Sequence, residues 1–276
     1  MGEFASYKNK RVVVSGCFSG MGEATARLLL DQGAEVHGLD YKDTQLKLAS
    51  FKRVDLRDPA SIDAAAKSIG GKVDALFNCA GLPQTAGPLD VMKVNYAGTR
   101  RLTEQVLPLM SAGSAIVSVS STAGMGWSRK IPVLMELLKI DTTEGAVKWC
   151  EANMETVREG YSFSKEAIIL WTMMMSTPYI KRGIRINCTL PGPTQTPMMA
   201  QFESATAPSV IEAATQPINR RSTPMEQATA LVFLNSDAAS YVNGAVLPVD
   251  GGFMGGVATG QVDLSAMMAG AAKPAA

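Results

Sequence analysis

Arg11-Val12-Val13-Val14-Ser15-Gly16-Cys17-Phe18-Ser19-Gly20-Met21-Gly22 decides the fold. A short β-branched run gives way to three glycines, and a helix-patterned stretch then runs from Gly22 to Gln32, ahead of Gly33. That reads as a buried strand, a tight turn, and a helix with a glycine after its last turn. A helix starting at such a turn presents unpaired N–H groups and a partial positive charge, which suit a pyrophosphate. The spacing is G-x-x-x-G-x-G, not the G-x-G-x-x-G of other dinucleotide folds. Taken alone, such a turn also occurs where no phosphate binds. Its place between a strand and a helix favours the cofactor reading.

The same alternation continues outward. Strands are expected at 35–40, 51–55, 73–78, 114–120, 184–190 and 245–249. Helices are expected at 61–69, 89–110 (one long helix) and 162–179, and before the last strand at about 225–235. Strands alternating with helices imply one parallel sheet covered on both faces, an α/β doubly wound architecture of about seven strands in a single domain spanning residues 1–276. From Gly255 to Ala276 the chain is rich in Ala, Gly and Met and is expected to be a loosely held tail, with Leu264–Met268 able to dock on a neighbour.

Composition excludes several functions. The 26 basic and 25 acidic residues leave a net charge of +1, without the basic excess that nucleic acid or an acidic membrane demands. The four cysteines, Cys17, Cys79, Cys150 and Cys188, form no C-x-x-C pair and suggest neither a metal site nor a redox dithiol. Their scarcity fits a reducing cytoplasm. No apolar run reaches the roughly 20 residues of a membrane helix. Met1 to Arg11 lacks an apolar signal core. Met1-Gly2 with Ser6 matches a myristoylation pattern, against the plainer reading of a polar leader.

The chemistry lies at strand ends. Asp40 closes the second strand, where an acid can accept the ribose hydroxyls of NAD and repel the 2′-phosphate of NADP. It could equally be a strand-end turn residue, and Lys42 nearby argues the other way. Then follow Asn78-Cys79-Ala80-Gly81, Asn95, Ser120-Ser121, Tyr161-Ser162-Phe163-Ser164-Lys165, and Pro191-Gly192-Pro193-Thr194-Gln195-Thr196. A phenol is a poor base at neutral pH, and an ammonium four residues on along a helix is expected to favour its ionised form. His37, the only histidine, reads as a packing residue, as do Cys188 and Met173-Met174-Met175. Met198 and Met199 could form an adaptable apolar wall.

In this order the motifs resemble the short-chain dehydrogenase/reductase family, from residue 11 to about 254. The resemblance implies a Rossmann-type fold and an NAD-dependent alcohol dehydrogenase or ketone reductase. Ser121, Tyr161, Lys165 and Asn95 would be the catalytic set, Asn95 holding a water that links Lys165 to solvent. Gly16, Gly20 and Gly22, with Phe18, Ser19 and Met21, would cradle the pyrophosphate. Asp40 and Tyr41 would hold the adenosine ribose, Asp55 and Leu56 would flank the adenine, and Asn78, Ala80 and Gly81 would line the cleft. Pro191, Gly192, Thr194 and Thr196 would position the nicotinamide, for which Tyr161 and Lys165 also serve. Ser15 stands where the family more often has Thr, and Cys79 where it has Asn.

Ser121 and Tyr161 stand 40 positions apart, far wider than is usual in that family. The insert, about 128–160, reads as two helices, Pro132–Ile140 and a second running to about Val157, with Asp141 and Glu144 as a capping pair. It resembles the insert of the bacterial 3α-hydroxysteroid dehydrogenase/carbonyl reductase subgroup, as do Ser15-Gly16-Cys17, 79–85 and 194–197. That implies a ring alcohol or ketone as substrate. A dehydrogenase of a non-steroid cyclic or aryl alcohol is the alternative, and a non-catalytic NAD-binding regulator a third reading. An insert packed on the 89–110 and 162–179 helices would block a common family interface, so a homodimer is expected through the surface of 225–235 and 245–249, with a tetramer as the alternative.

Overall fold

The computed structural model describes residues 6–262. The Met1-Gly2 pattern and the stretch Leu264–Met268 therefore lie outside the described residues. Seven strands, β1 (Arg11–Ser15), β2 (Glu35–Asp40), β3 (Ser50–Arg53), β4 (Val73–Asn78), β5 (Met110–Val119), β6 (Arg185–Pro191) and β7 (Val246–Val249), form one parallel sheet. Their spatial order is 3-2-1-4-5-6-7. The order reverses between β1 and β4, and in such sheets a ligand crevice opens there, beyond the carboxyl ends of the strands.

Parallel pairing needs a crossover between neighbours, and the crossovers cover both faces. On one face Val12, Val14, Ala75, Phe77 and Val117 pack with Ala26 and Leu29 of α1 (Gly20–Asp31) and Leu231 of α11 (Pro224–Asn235). On the other, Val13, Leu76 and Ile116 pack with α2 (Pro59–Ile69), α4 (Thr99–Val106) and α8 (Tyr161–Ile180). Adjacent residues of β1 thus serve opposite cores, which is why the strand is apolar throughout. His37 is buried in β2, its ring held between Ser50 Oγ (2.6 Å) and Glu35 Oε1 (2.9 Å).

Several boundaries differ from expectation. The long helix 89–110 is three pieces: α3 (Pro88–Met92), a π-helical turn over Lys93–Gly98, and α4. Pro108 sits in a tight turn after α4, and β5 already begins at Met110. Part of the expected tail is ordered: α12 (Phe253–Ala258) is helical and Val262 is buried against Gly256.

The insert folds as α5 (Ile131–Leu138), α6 (Thr143–Ala152) and α7 (Met154–Val157). The cap of α6 is Thr142, whose Oγ1 accepts the Gly145 N–H at 3.1 Å, and not Asp141. Asn153 divides the expected second helix, with φ −122° and ψ 38°. Leu134, Leu137, Leu138 and Cys150 join the core beside α8, and Trp149 stacks on Phe163 with centroids 6.1 Å apart. Lys130, at the start of α5, pairs with the buried Glu166 of α8 at 2.9 Å. No helix among the described residues is long and apolar enough to cross a membrane.

Candidate active site

The turn after β1 shows what its glycines are for. Gly16 has φ +78°, and a Cβ there would meet the Ala80 backbone N at 2.6 Å. A Cβ on Gly22 would lie 2.0 Å from the Gly16 carbonyl oxygen. Both positions are small because protein backbone touches them, Gly16 approaching the segment after β4 and Gly22 the Gly16 carbonyl of its own turn, rather than a phosphate. Ser19, Gly20, Met21 and Gly22 still line the cleft at the start of α1. Ser19 makes no side-chain cap to that helix, leaving its N-terminal N–H groups available to an anion. Ser15, in place of Thr, receives the Ala80 N–H at 3.5 Å.

Asp40 is oriented by backbone. One carboxylate oxygen accepts the Phe18 N–H and the other the Lys42 N–H, each at 2.9 Å. Each oxygen keeps a lone pair for a hydroxyl. The Lys42 ammonium lies over the Phe18 ring, 5.3 Å from its centroid. Beyond Asp40 a hollow of about 450 Å³ is bordered by Tyr41, Lys42, Arg53 and Asp55. Asp55 is gripped by Arg57 (Nη2 at 2.7 Å), which holds its carboxyl below the usual range. These residues fit the adenosine end of a dinucleotide.

Two expected cleft residues turn inward. Leu56 is buried in the core, so only its main chain could meet an adenine. Asn78 donates to Thr103 Oγ1 (2.9 Å) and Ser118 Oγ (3.2 Å), tying β4 to β5 and α4 rather than lining the cleft. Thr194 keeps its expected place in the cleft lining, while its hydroxyl donates to the Gly192 carbonyl or shares a hydrogen bond with Ser222 Oγ, both at 2.9 Å. Pro191, Gly192 and Gly81 do line the cleft, and Thr196 packs its methyl toward Gly20.

Ser121, Tyr161 and Lys165 meet in a cleft of about 450 Å³. Ser121 follows β5, and its Oγ accepts the Ala123 N–H at 3.1 Å as the cap of a 3-10 turn. Tyr161 opens α8, and Lys165 lies one turn on with its Nζ 5.5 Å from the Tyr161 ring centroid. Burial pushes the Lys165 ammonium down to about 8, and its Nζ donates to the Val119 carbonyl at 2.9 Å. Burial also raises the Tyr161 phenol above its ordinary value, opposed by a hydrogen bond with Ser121. Loss of water is the larger influence on the phenol and the Ser121 hydrogen bond the opposing one, so the Lys165 charge does not set the direction of the shift.

Asn95, in the π-helical turn, is 2% exposed. Its amide accepts the Leu82 N–H (2.7 Å), donates to the Leu82 carbonyl (3.0 Å) and reaches Ser164 Oγ (3.3 Å). The side chain is thus committed to clamping the segment after β4 onto α8.

The sequence reading missed the far wall. α9 (Met199–Ala205) and α10 (Pro208–Ala213) roof the cleft, bringing Phe202, Val210 and Ile211 to it, and Leu82 and Met125 face them. Met198 joins this wall as expected, whereas Met199 does not line the cleft. The only available signal was the apolar spacing after Thr196, too short to separate a roof from a loop. Among the described residues no cluster of His, Cys, Asp or Glu could hold a metal ion.

Comparison with known proteins agrees with this geometry. A family model described as short chain dehydrogenase matches residues 10–132, and one described as enoyl-(acyl carrier protein) reductase matches 150–254, with most of the insert between them. The chain is 36% identical to coniferyl-alcohol dehydrogenase of Pseudomonas sp. strain HR199, over 88% of this chain and 96% of that protein. It is 32% identical to 3-alpha-hydroxysteroid dehydrogenase/carbonyl reductase of Comamonas testosteroni, over 87% and 95%. The crystal structure of 3-alpha-hydroxysteroid dehydrogenase from Pseudomonas sp. B-0831, complexed with NADH, superposes with a TM-score of 0.77 at 28% identity, covering 92% of this chain and all (100%) of that one. Likeness along almost the whole of these relatives, joined to the sheet and cleft described above, makes the chain a member of the short-chain dehydrogenase/reductase family, whose oxidoreductases bind nicotinamide cofactors.

Proposed function

We propose that the protein interconverts an alcohol and a carbonyl on a bulky, uncharged ring substrate with NAD as hydride carrier, a hydroxysteroid dehydrogenase/carbonyl reductase being the leading form. One observation carries this reading. Ser121 and Tyr161 open into a cleft walled by Leu82, Met125, Met198, Phe202, Val210 and Ile211, and Lys165 is the one charged side chain among the described residues lining it. Such a wall favours apolar rings, and a substrate carboxylate would lose its water without gaining a partner.

NAD, when bound, supplies or accepts the hydride. In reduction the Ser121 hydroxyl holds the carbonyl oxygen, and the Tyr161 phenol gives it a proton as charge develops there. In oxidation the proton returns to Tyr161. Lys165 keeps a positive charge beside the phenol, and Asn95 acts by holding the 82–86 segment in place. Asp40, held by two backbone amides, favours a ribose diol over a 2′-phosphate. Four free cysteines support a reducing, cytoplasmic setting.

A second reading, oxidation of an aryl alcohol, is favoured by the 36% identity to coniferyl-alcohol dehydrogenase. A non-catalytic regulator has less support, because it would not need Ser121, Tyr161 and Lys165 gathered in one cleft. The test is a screen of hydroxysteroids, cyclohexanols and aryl alcohols, each with NAD and with NADP, read as NAD(P)H absorbance. Turnover of at least one ring class with NAD preferred is expected. No turnover, or a preference for NADP, refutes the proposal.

A further inference from the structure

The roof of the cleft is tied down at two points. Gln84 Nε2 donates to Thr206 Oγ1 at 3.1 Å, and Thr85 Oγ1 donates to Gln201 Oε1 at 3.2 Å. Between these ties α9 carries Phe202, whose ring meets Tyr161 edge to face, with centroids 5.0 Å apart and planes at 72°. The segment bearing Gln84 and Thr85 is the one that Asn95 clamps at Leu82, and Asn95 also reaches Ser164 on α8. The contacts therefore close a ring: α8, Asn95, the 82–86 segment, the roof, and back to α8 at Tyr161.

We infer that Phe202 is a positioning residue for Tyr161: held down by the roof ties, its ring excludes water from the phenol and keeps it aimed at Ser121. This rests on the reading of Tyr161 as the proton carrier. An edge-to-face contact fixes both the distance and the tilt of a ring, which a shapeless apolar wall does not. The neighbours of the phenol leave few other sources for its environment. Lys165 on α8 packs its ammonium on the ring, and Ser121 brings an uncharged hydroxyl from the turn after β5. Glu159 stands at the start of α8 with its carboxylate accepting the Ser162 N–H at 3.1 Å, and Cys79, whose thiol burial pushes up to about 12, lines the same cleft. α9 contributes an uncharged ring. Burial is the largest influence raising the phenol's pKa, so removing the Phe202 ring admits water and lets Tyr161 ionise at lower pH.

The experiment titrates Tyr161 by phenolate ultraviolet absorbance after rapid pH jumps, as the difference between each protein and its Tyr161→Phe counterpart. The unmodified protein is compared with Phe202→Ala, Phe202→Leu and Thr206→Val. Phe202→Ala is expected to lower the midpoint by about 0.5–1 pH unit. Phe202→Leu should lower it less, and Thr206→Val, which breaks a tie without touching Tyr161, should move it in the same direction. The rising limb of kcat/KM for alcohol oxidation should shift by the same amount. The Phe202→Ala kcat should fall about tenfold, with NADH affinity kept within about twofold. An unchanged midpoint in folded Phe202→Ala or Phe202→Leu overturns the proposal. Should both prove unfolded by circular dichroism, an unchanged midpoint in Thr206→Val does so. Because the titration reads the phenol and not turnover, a protein inactive on every ring alcohol would refute the catalytic reading while still reporting the Phe202 contact.

Discussion

Replacing Lys165 with Met should abolish useful turnover and yet stabilise the fold. Lys165 is 5% exposed, and burial lowers the pKa of its ammonium from the usual 10.5 to about 8. At about 1.4 kcal/mol per pH unit, the native state disfavours the protonated form by about 3 kcal/mol. Methionine fills most of the same stem volume but leaves the Val119 carbonyl without its 2.9 Å donor, a loss of about 1 kcal/mol. The net gain at pH 7 is about 2 kcal/mol, or roughly 3 °C in Tm for a chain of this size. The sign and window follow from linkage. Between the native pKa near 8 and the unfolded value of about 10.4, the unfolded chain binds more protons, so the unmodified protein gains stability as pH rises. The advantage of the variant is therefore full below pH 8 and fades toward pH 10.5. Urea unfolding of both proteins across this range measures the difference, in which other titrating groups cancel. A variant no more stable at pH 7, or one whose advantage does not shrink with pH, would refute the assigned burial of the ammonium.

Tyr161→Phe keeps the ring against Phe202 but removes the transferable proton, so kcat should fall by about 10²-fold or more while NADH fluorescence titration shows unchanged affinity. Near-normal turnover would exclude Tyr161 as the proton carrier. Asp40→Ala should narrow the ratio of kcat/KM for NAD over NADP by about tenfold, and an unchanged ratio would remove Asp40 from cofactor choice. Lys130→Met strands the buried Glu166, whose carboxyl burial already raises. The variant should lose about 3 kcal/mol at neutral pH and progressively less as falling pH protonates the carboxyl, and thermal melts across an acid-to-neutral series test this. Because α5 to α7 cover α8 and its neighbours, light scattering should find a homodimer through the α11 and β7 surface. A tetramer crosslinked through α4 and α8 would show that the insert leaves that face free.

Much of the site was legible because local chemistry repeats along the chain. The glycine turn after a β-branched run located β1 and α1, and Asp40, Ser121, Tyr161 and Lys165 were readable as polar residues at strand ends and helix starts. What misled was side-chain direction. Asn78 and Leu56 belong to motifs that border the cleft, yet packing turns each inward, because a buried amide must find a partner and an apolar side chain a core. The π-helical turn at Asn95 breaks a continuous helical pattern and could not be seen in periodicity, since it exists to bring one amide onto Leu82. Thr142 displaced Asp141 as a cap through a one-residue difference in where the chain turns. Neighbours along the chain set the alternation of strands and helices and the placing of a phenol one helical turn from an ammonium, so both could be read from residue order. Packing of distant segments alone raises the phenol's pKa, depresses the ammonium toward 8 and leans Phe202 on Tyr161. Those properties depend on which distant segments exclude water from the cleft, and water exclusion is a property of packing, not of spacing along the chain.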